Sequence, residues 1–144
     1  MTTVQNILRR KGHGVFSILP ETTVSVALEL MLEKDVGALL VIQNGTLAGI
    51  FSERDFARKV ITKGRAAIDL PVKDLMTTDV ITVTPDHSID ECMALMTNHR
   101  IRHLPVVEHR RVTGIVSIGD AVAALNSEKE QLIVQLENYI TGAR

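Results

Sequence analysis

Gly49-Ile50-Phe51-Ser52-Glu53-Arg54-Asp55 returns 65 residues later as Gly114-Ile115-Val116-Ser117-Ile118-Gly119-Asp120. Extended outward at that offset, residues 15–60 lie over residues 80–125 without a gap. Val15/Val80, Pro20/Pro85, Leu30/Leu95, Met31/Met96, Leu39/Leu104 and Val41/Val106 are identical, as are Gly49/Gly114, Ile50/Ile115, Ser52/Ser117 and Asp55/Asp120. These are ten identities in 46 positions, against roughly three expected by chance from ordinary residue frequencies. The chain is a tandem repeat, and its fold must be one unit built twice.

Each copy carries the same elements. A short apolar strand (residues 15–19; 80–84) stops at Pro20 or Pro85, because proline cannot continue a ladder. A helix follows, with Val24, Ala27, Leu28, Met31 and Leu32 at helical spacing. Its counterpart carries Ile89, Cys92, Met93 and Met96 behind Ser88-Ile89-Asp90-Glu91, a capping-box pattern. Cys92 falls on the apolar stripe and reads as a packing residue. Two β-rich runs come next, residues 38–42 with 47–51 and residues 104–107 with 112–116. Asn44-Gly45 is a strong hairpin turn because both residues tolerate positive φ, whereas His109-Arg110-Arg111 is weaker turn chemistry. A last helix starts at Ser52 or Ser117.

The unit is therefore β-α-β-β-α, and the expected class is α/β (α+β). Two repeats share a core about a pseudo-two-fold axis, since neither alone buries enough surface. The expected segments are 1–62 (N-terminal segment and first repeat), 63–126 (linker and second repeat) and 127–144 (C-terminal amphipathic helix). The last opens with Ser127-Glu128-Lys129-Glu130 and places Leu132, Ile133, Leu136, Tyr139 and Ile140 on one face.

Composition excludes several functions. A net charge of -1 supplies no field to hold nucleic acid or an anionic membrane, and 3% aromatics leave few platforms for stacking bases. One cysteine forbids an internal disulfide or a multi-thiolate metal site. No apolar run reaches the roughly 18 residues of a membrane span, and no secretory signal is expected. A cytoplasmic protein is expected, although Arg9-Arg10-Lys11 has the charge of a short targeting segment. Lys11-Gly12-His13-Gly14 is too short for a phosphate loop. His99 and His103 are four apart, but His103 precedes a strand, so no metal site is expected.

Ser-x-x-Asp at a strand-to-helix junction is first of all a capping box. The same geometry also serves a ligand. A helix N-terminus offers unpaired N–H groups to phosphate, and a carboxylate one turn in can accept from ribose hydroxyls. Neither serine has a base and orienter beside it in the pattern, so no catalytic residue is expected.

The repeat, the Gly-h-h-Ser-x-x-Asp ending and Ile101-Arg102-His103-Leu104-Pro105-Val106 together resemble the cystathionine-β-synthase-type (CBS) domain pair, or Bateman module, over about residues 4 to 125. The chain looks like the small stand-alone bacterial members, and no catalytic domain to regulate in cis is expected. The resemblance implies adenine-nucleotide binding, with AMP or NAD(H) favoured and ATP, ADP or S-adenosylmethionine as further candidates. In one implied cleft Asp55 takes the ribose, and Ser52 and Arg54 approach the phosphate. Gly37, Ala38 and Ile50 line the adenine with Thr78, Val80 and Ile81, while Arg102 and His103 reach toward phosphate. The other cleft uses Asp120, Ser117, His103 and Ile115 with Val15, Phe16 and Ser17. Because Gly119 stands where Arg54 does, the first cleft is expected to hold the charged ligand more tightly. The resemblance further implies a homodimer, an energy-sensing role and a separate regulated protein. The competing reading is a scaffold with vestigial clefts that grips a partner regardless of nucleotide.

Overall fold

The computed structural model describes residues 1–141; the last three residues of the expected tail segment lie outside them. In the first repeat, β1 (Ser17–Ile18) runs parallel to β2 (Ala38–Gln43), which pairs antiparallel with β3 (Thr46–Ser52). The turn between β2 and β3 is Asn44-Gly45, both at positive φ (53° and 77°), as a two-residue hairpin turn requires. Helix α2 (Val24–Lys34) is capped by Thr23, and α3 (Glu53–Lys63) by Ser52. Val24, Ala27 and Met31 of α2 pack with Leu39, Val41 and Phe51 of the sheet. Ala67 and Val72, from two 3-10 turns (Arg65–Asp69 and Val72–Asp74), and Leu75, which follows the second, complete that core.

The second repeat has α4 (Ile89–His99), β4 (His103–Glu108), β5 (Arg111–Ser117) and α5 (Ile118–Thr141). Cys92 is fully buried on α4, as its place in the apolar stripe predicts. The expected strand at residues 80–84 shrinks to one parallel bridge, Val83 to Val106, the counterpart of Ile18 to Val41. The reason lies in the partner strand. The Leu40 N–H donates to the Phe16 carbonyl at 3.1 Å, but Pro105 occupies the equivalent place and has no N–H. At the β4–β5 turn His109 and Arg110 adopt positive φ (51° and 66°), so the hairpin geometry prevails over unfavourable turn residues.

Two further differences concern the chain ends. Residues 4–11 form a helix that the apolar pattern was too short to announce, α1 (Val4–Lys11), closed at its start by a Thr3/Asn6 capping box. Val4, Ile7 and Leu8 are buried, and Thr2, Val4 and Gln5 exchange backbone hydrogen bonds with Ile89, His87 and Pro85. Met1–His13 lies in one compact unit with Thr82–Glu108 and residues 114–141. The other compact unit is Gly14–Ile81 with His109–Thr113. At the other end, Ser127 opens no separate helix. No glycine or proline interrupts residues 120–141, so α5 continues as one 24-residue helix. No helix among the described residues is long and apolar enough to cross a membrane.

Candidate functional site

In each repeat the sheet delivers the chain into a helix through a serine cap, with an aspartate one turn in. In the first unit the Asp55 N–H donates to Ser52 Oγ at 3.1 Å, and Asp55 Oδ2 accepts from the Ser52 N–H and hydroxyl, both at 3.0 Å. Asp55 Oδ1 faces the other way and accepts from the Thr77 hydroxyl at 3.1 Å. Thr77 is held there by two backbone bonds with Ile50, of 3.0 and 2.9 Å. That approach depends on Gly49, where a Cβ would sit 2.7 Å from the Thr77 carbonyl oxygen and 2.8 Å from Met76 Sδ. Gly37 belongs to the same cluster, its carbonyl accepting from the Glu53 N–H at 3.1 Å, and Ala38 pairs with Ser52 in the sheet. Thus Gly37, Ala38, Ile50, Ser52 and Asp55 converge at the start of α3, with Thr77 added. Arg54 is exposed in the first turn of α3; Thr78 is exposed and Val80 and Ile81 half-buried in the irregular chain that follows Thr77.

The second unit repeats the frame. The Asp120 N–H donates to Ser117 Oγ at 3.1 Å and the Ser117 N–H to Asp120 Oδ2 at 2.9 Å. Arg102 takes Gly37's role, its carbonyl accepting from the Ile118 N–H at 2.8 Å. What faces the carboxylate is different. Lys11 Nζ, at the end of α1, lies 2.6 Å from Asp120 Oδ2 and donates also to the Ile115 carbonyl at 2.8 Å. Burial pushes the Asp120 carboxyl upward, but Lys11 and the Ser117 capping bonds outweigh it and hold it below the usual carboxylate range. His103, half-buried at the start of β4, is pushed below the ordinary imidazole value by burial, with Lys11 and Arg102 acting in the same sense against Asp120. Beside the ion pair a groove of about 240 Å³ runs between α1 and α5, bordered by Asn6, Arg10, Ser127, Glu128 and Gln131.

The remaining expected site residues are distributed between the units. Arg102 and His103, assigned to the first cleft, belong to the second unit; Val15, Phe16 and Ser17, assigned to the second, belong to the first. There Phe16 is 41% exposed with Lys34 Nζ 5.5 Å from its ring centre, and Ser17 pairs with Leu40. Sequence reasoning missed Thr77 and Lys11, which reach the aspartates from outside the capping boxes. The signal for Thr77 was the repeated glycine, which marks a close backbone approach. Lys11 had only its place at the end of a short capped helix. Burial pushes the Cys92 thiol up to about 11, away from the thiolate.

The doubled α/β unit has counterparts among known proteins. The CBS-domain family matches residues 4–62 and 72–127. The chain is 39% identical over 150 residues to the mitochondrial CBS domain-containing protein CBSX3 of Arabidopsis thaliana, spanning 98% of this chain and 73% of that one. A putative signal-transduction protein with CBS domains from Burkholderia ambifaria is 44% identical, with a TM-score of 0.82 over 86% of this chain and 93% of its own. The CBS domain pair of protein MJ0100, solved in complex with 5'-methylthioadenosine and S-adenosyl-L-methionine, is 25% identical, with a TM-score of 0.78 over 89% and 98% of the two chains. This chain belongs to the CBS-domain family and contains two CBS domains. Such pairs are regulatory, ligand-binding modules.

Proposed function

We propose that the chain is an adenine-nucleotide-binding regulatory module, with no catalytic step of its own. The repeated helix-start carboxylate, Asp55 and Asp120 each locked to a serine cap, is the observation that carries this reading. Preorganised carboxylates suit ribose hydroxyls, and helix N-termini suit phosphate. In the first site Asp55 takes the ribose, Ser52 and Arg54 the phosphate, and Gly37, Ala38, Ile50, Thr78, Val80 and Ile81 line the base. In the second, Asp120 takes the ribose, with Ser117, Ile115 and His103 around it. AMP and NAD(H) fit these groups best; ATP, ADP and S-adenosylmethionine are further candidates, the last in keeping with the ligands of MJ0100. The occupied and empty states differ in population, and a separate cytoplasmic protein reads the difference. A thermal-shift series with these six compounds (NAD and NADH separately) tests the reading, because a ligand of the native state raises the Tm. A rise that Asp55→Ala diminishes, leaving what the second site contributes, is expected. No rise with any compound sinks it.

The tail of α5 points to a second copy as an additional partner. From Lys129 to Thr141 every residue is exposed, and a helix segment of that length is marginal alone in water. Leu125, Leu132 and Tyr139 recur every seven residues, with Leu136 between the last two, which is a self-complementary coiled-coil seam. Leu132 and Leu136 are 54% and 53% exposed, so the seam is available. Light scattering is expected to show a homodimer that the double variant Leu132→Glu/Leu136→Glu converts to monomer; a monomeric parent excludes it. The same face is what favours the scaffold reading, in which a foreign protein is held there. Pull-downs with equal yield in the presence and absence of nucleotide favour the scaffold.

A further inference from the structure

The carboxylate of the second unit already holds a cation. Lys11 is the last residue of α1, and Gly12 ends that helix immediately after it, with φ 103° and its N–H on the Leu8 carbonyl. The ammonium reaches across to Asp120 and the Ile115 carbonyl, so it sits where α5 begins. Neither partner is sealed off, with side chains 33% and 24% exposed. A pair open to water can exchange partners, because its net worth is small. The surroundings carry surplus positive charge. Arg10 borders the adjoining groove, Arg102 lies near His103, and Glu128 on the far side of the groove is engaged by the Thr2 N–H at 2.6 Å. In the first unit the residue that reaches the corresponding carboxylate from outside its own cap is Thr77, through a neutral hydroxyl. The cation that Arg54 brings to α3 is absent from α5, where Gly119 stands, and Lys11 brings one from a different element.

We infer that Lys11 is the anion-binding residue of the second site, and that its bond to Asp120 is a resting contact which a phosphorylated ligand exchanges. The ligand's hydroxyls take over Asp120 while its phosphate takes over the ammonium, so no charge is left unpaired. Lysine suits the task, being a point charge on a flexible four-carbon stem that serves either partner. An adenosine without phosphate displaces Lys11 and offers it nothing in return. A sulfonium ligand adds a second cation beside the first. Lys11 therefore sets a preference for phosphorylated ligands at the second site. The inference rests on the nucleotide-binding reading given above.

Calorimetric titration of the full chain with AMP and with adenosine tests it. Asp55→Ala in the background leaves the second site to report. With Lys11 intact AMP is expected to bind about tenfold or more tightly than adenosine, the worth of one charge-assisted hydrogen bond. Lys11→Met should bring the ratio close to one, and Lys11→Arg should restore it. Lys11→Gln, which keeps a polar head, stands in for Lys11→Met if that variant loses cooperative unfolding. An unchanged ratio in the neutral variants overturns the role of Lys11 and leaves the nucleotide reading intact. Binding by the unmutated chain but none in the Asp55→Ala background also overturns it, by removing the second site altogether. If the unmutated chain binds neither compound, the nucleotide reading fails and the inference fails with it.

Discussion

The two repeats place an aspartate on the same atom-by-atom cap and then face it with different chemistry. Asp55 meets the Thr77 hydroxyl, brought by the segment after the second 3-10 turn. Asp120 meets the Lys11 ammonium, brought by an N-terminal helix. In both units the visiting element leans on the strand before the cap, and in both a glycine makes room. A Cβ on Gly49 would meet the Thr77 carbonyl, whereas a Cβ on Gly114 would meet the Leu8 methyl groups, at 2.7 and 3.0 Å. Duplication conserved the helix start, where backbone geometry dictates Ser-x-x-Asp. The element packed against it was free to diverge, because a hydroxyl and an ammonium both satisfy a carboxylate oxygen.

The glycines offer the largest way to break this comparison. Gly49→Ala collides with backbone that is tied by two hydrogen bonds, so relief requires pulling Thr77 off both Ile50 and Asp55. We expect a loss of about 2–3 kcal/mol in urea unfolding, the upper part of the usual overpacking range. Gly114→Ala presses on the end of a leucine side chain, which can turn aside, and about 1 kcal/mol is expected. Equal losses, or the reverse order, contradict the view that Thr77 is held by backbone and Leu8 only by packing.

A smaller effect sharpens the electrostatic side. Asp120 titrates lower in the folded chain than its ordinary value of about 4 when unfolded. The Lys11 pair therefore adds stability above the unfolded value, and that contribution is lost as pH falls through the folded one. Both side chains are partly exposed, which limits the effect to about 1 kcal/mol or less. Lys11→Met should be less stable than the parent at pH 6, with the gap narrowing at pH 3. A gap of the same size at both pH values shows that Lys11 contributes through packing alone.

Much of the fold was legible because repetition doubles every local signal. Asn44-Gly45, the Ser52, Ser88 and Ser117 caps and the apolar stripes of α2 and α4 all act through neighbours close in sequence. The helix at residues 4–11 escaped notice because two turns carry too few apolar positions to show a period. The strand at residues 80–84 was overestimated since Pro105 in its partner, more than 20 residues further along the chain, removes a ladder bond. A separate tail helix was expected at Ser127 because its capping-box pattern is local, whereas capping operates only where the preceding chain leaves the helix.

The amino-acid sequence by itself determined a twofold β-α-β-β-α repeat, two serine-capped aspartates and one cysteine on a packing face. Each follows from residue types at short, fixed spacings. Only the tertiary structure decided what those aspartates touch. Lys11 lies 109 residues from Asp120, and Thr77 lies 22 from Asp55. No periodicity links positions so far apart; they meet because buried apolar residues on their own elements dock, Val4, Ile7 and Leu8 in one unit and Val72 and Leu75 in the other. The charge at each site was thus set by packing that the local code does not contain.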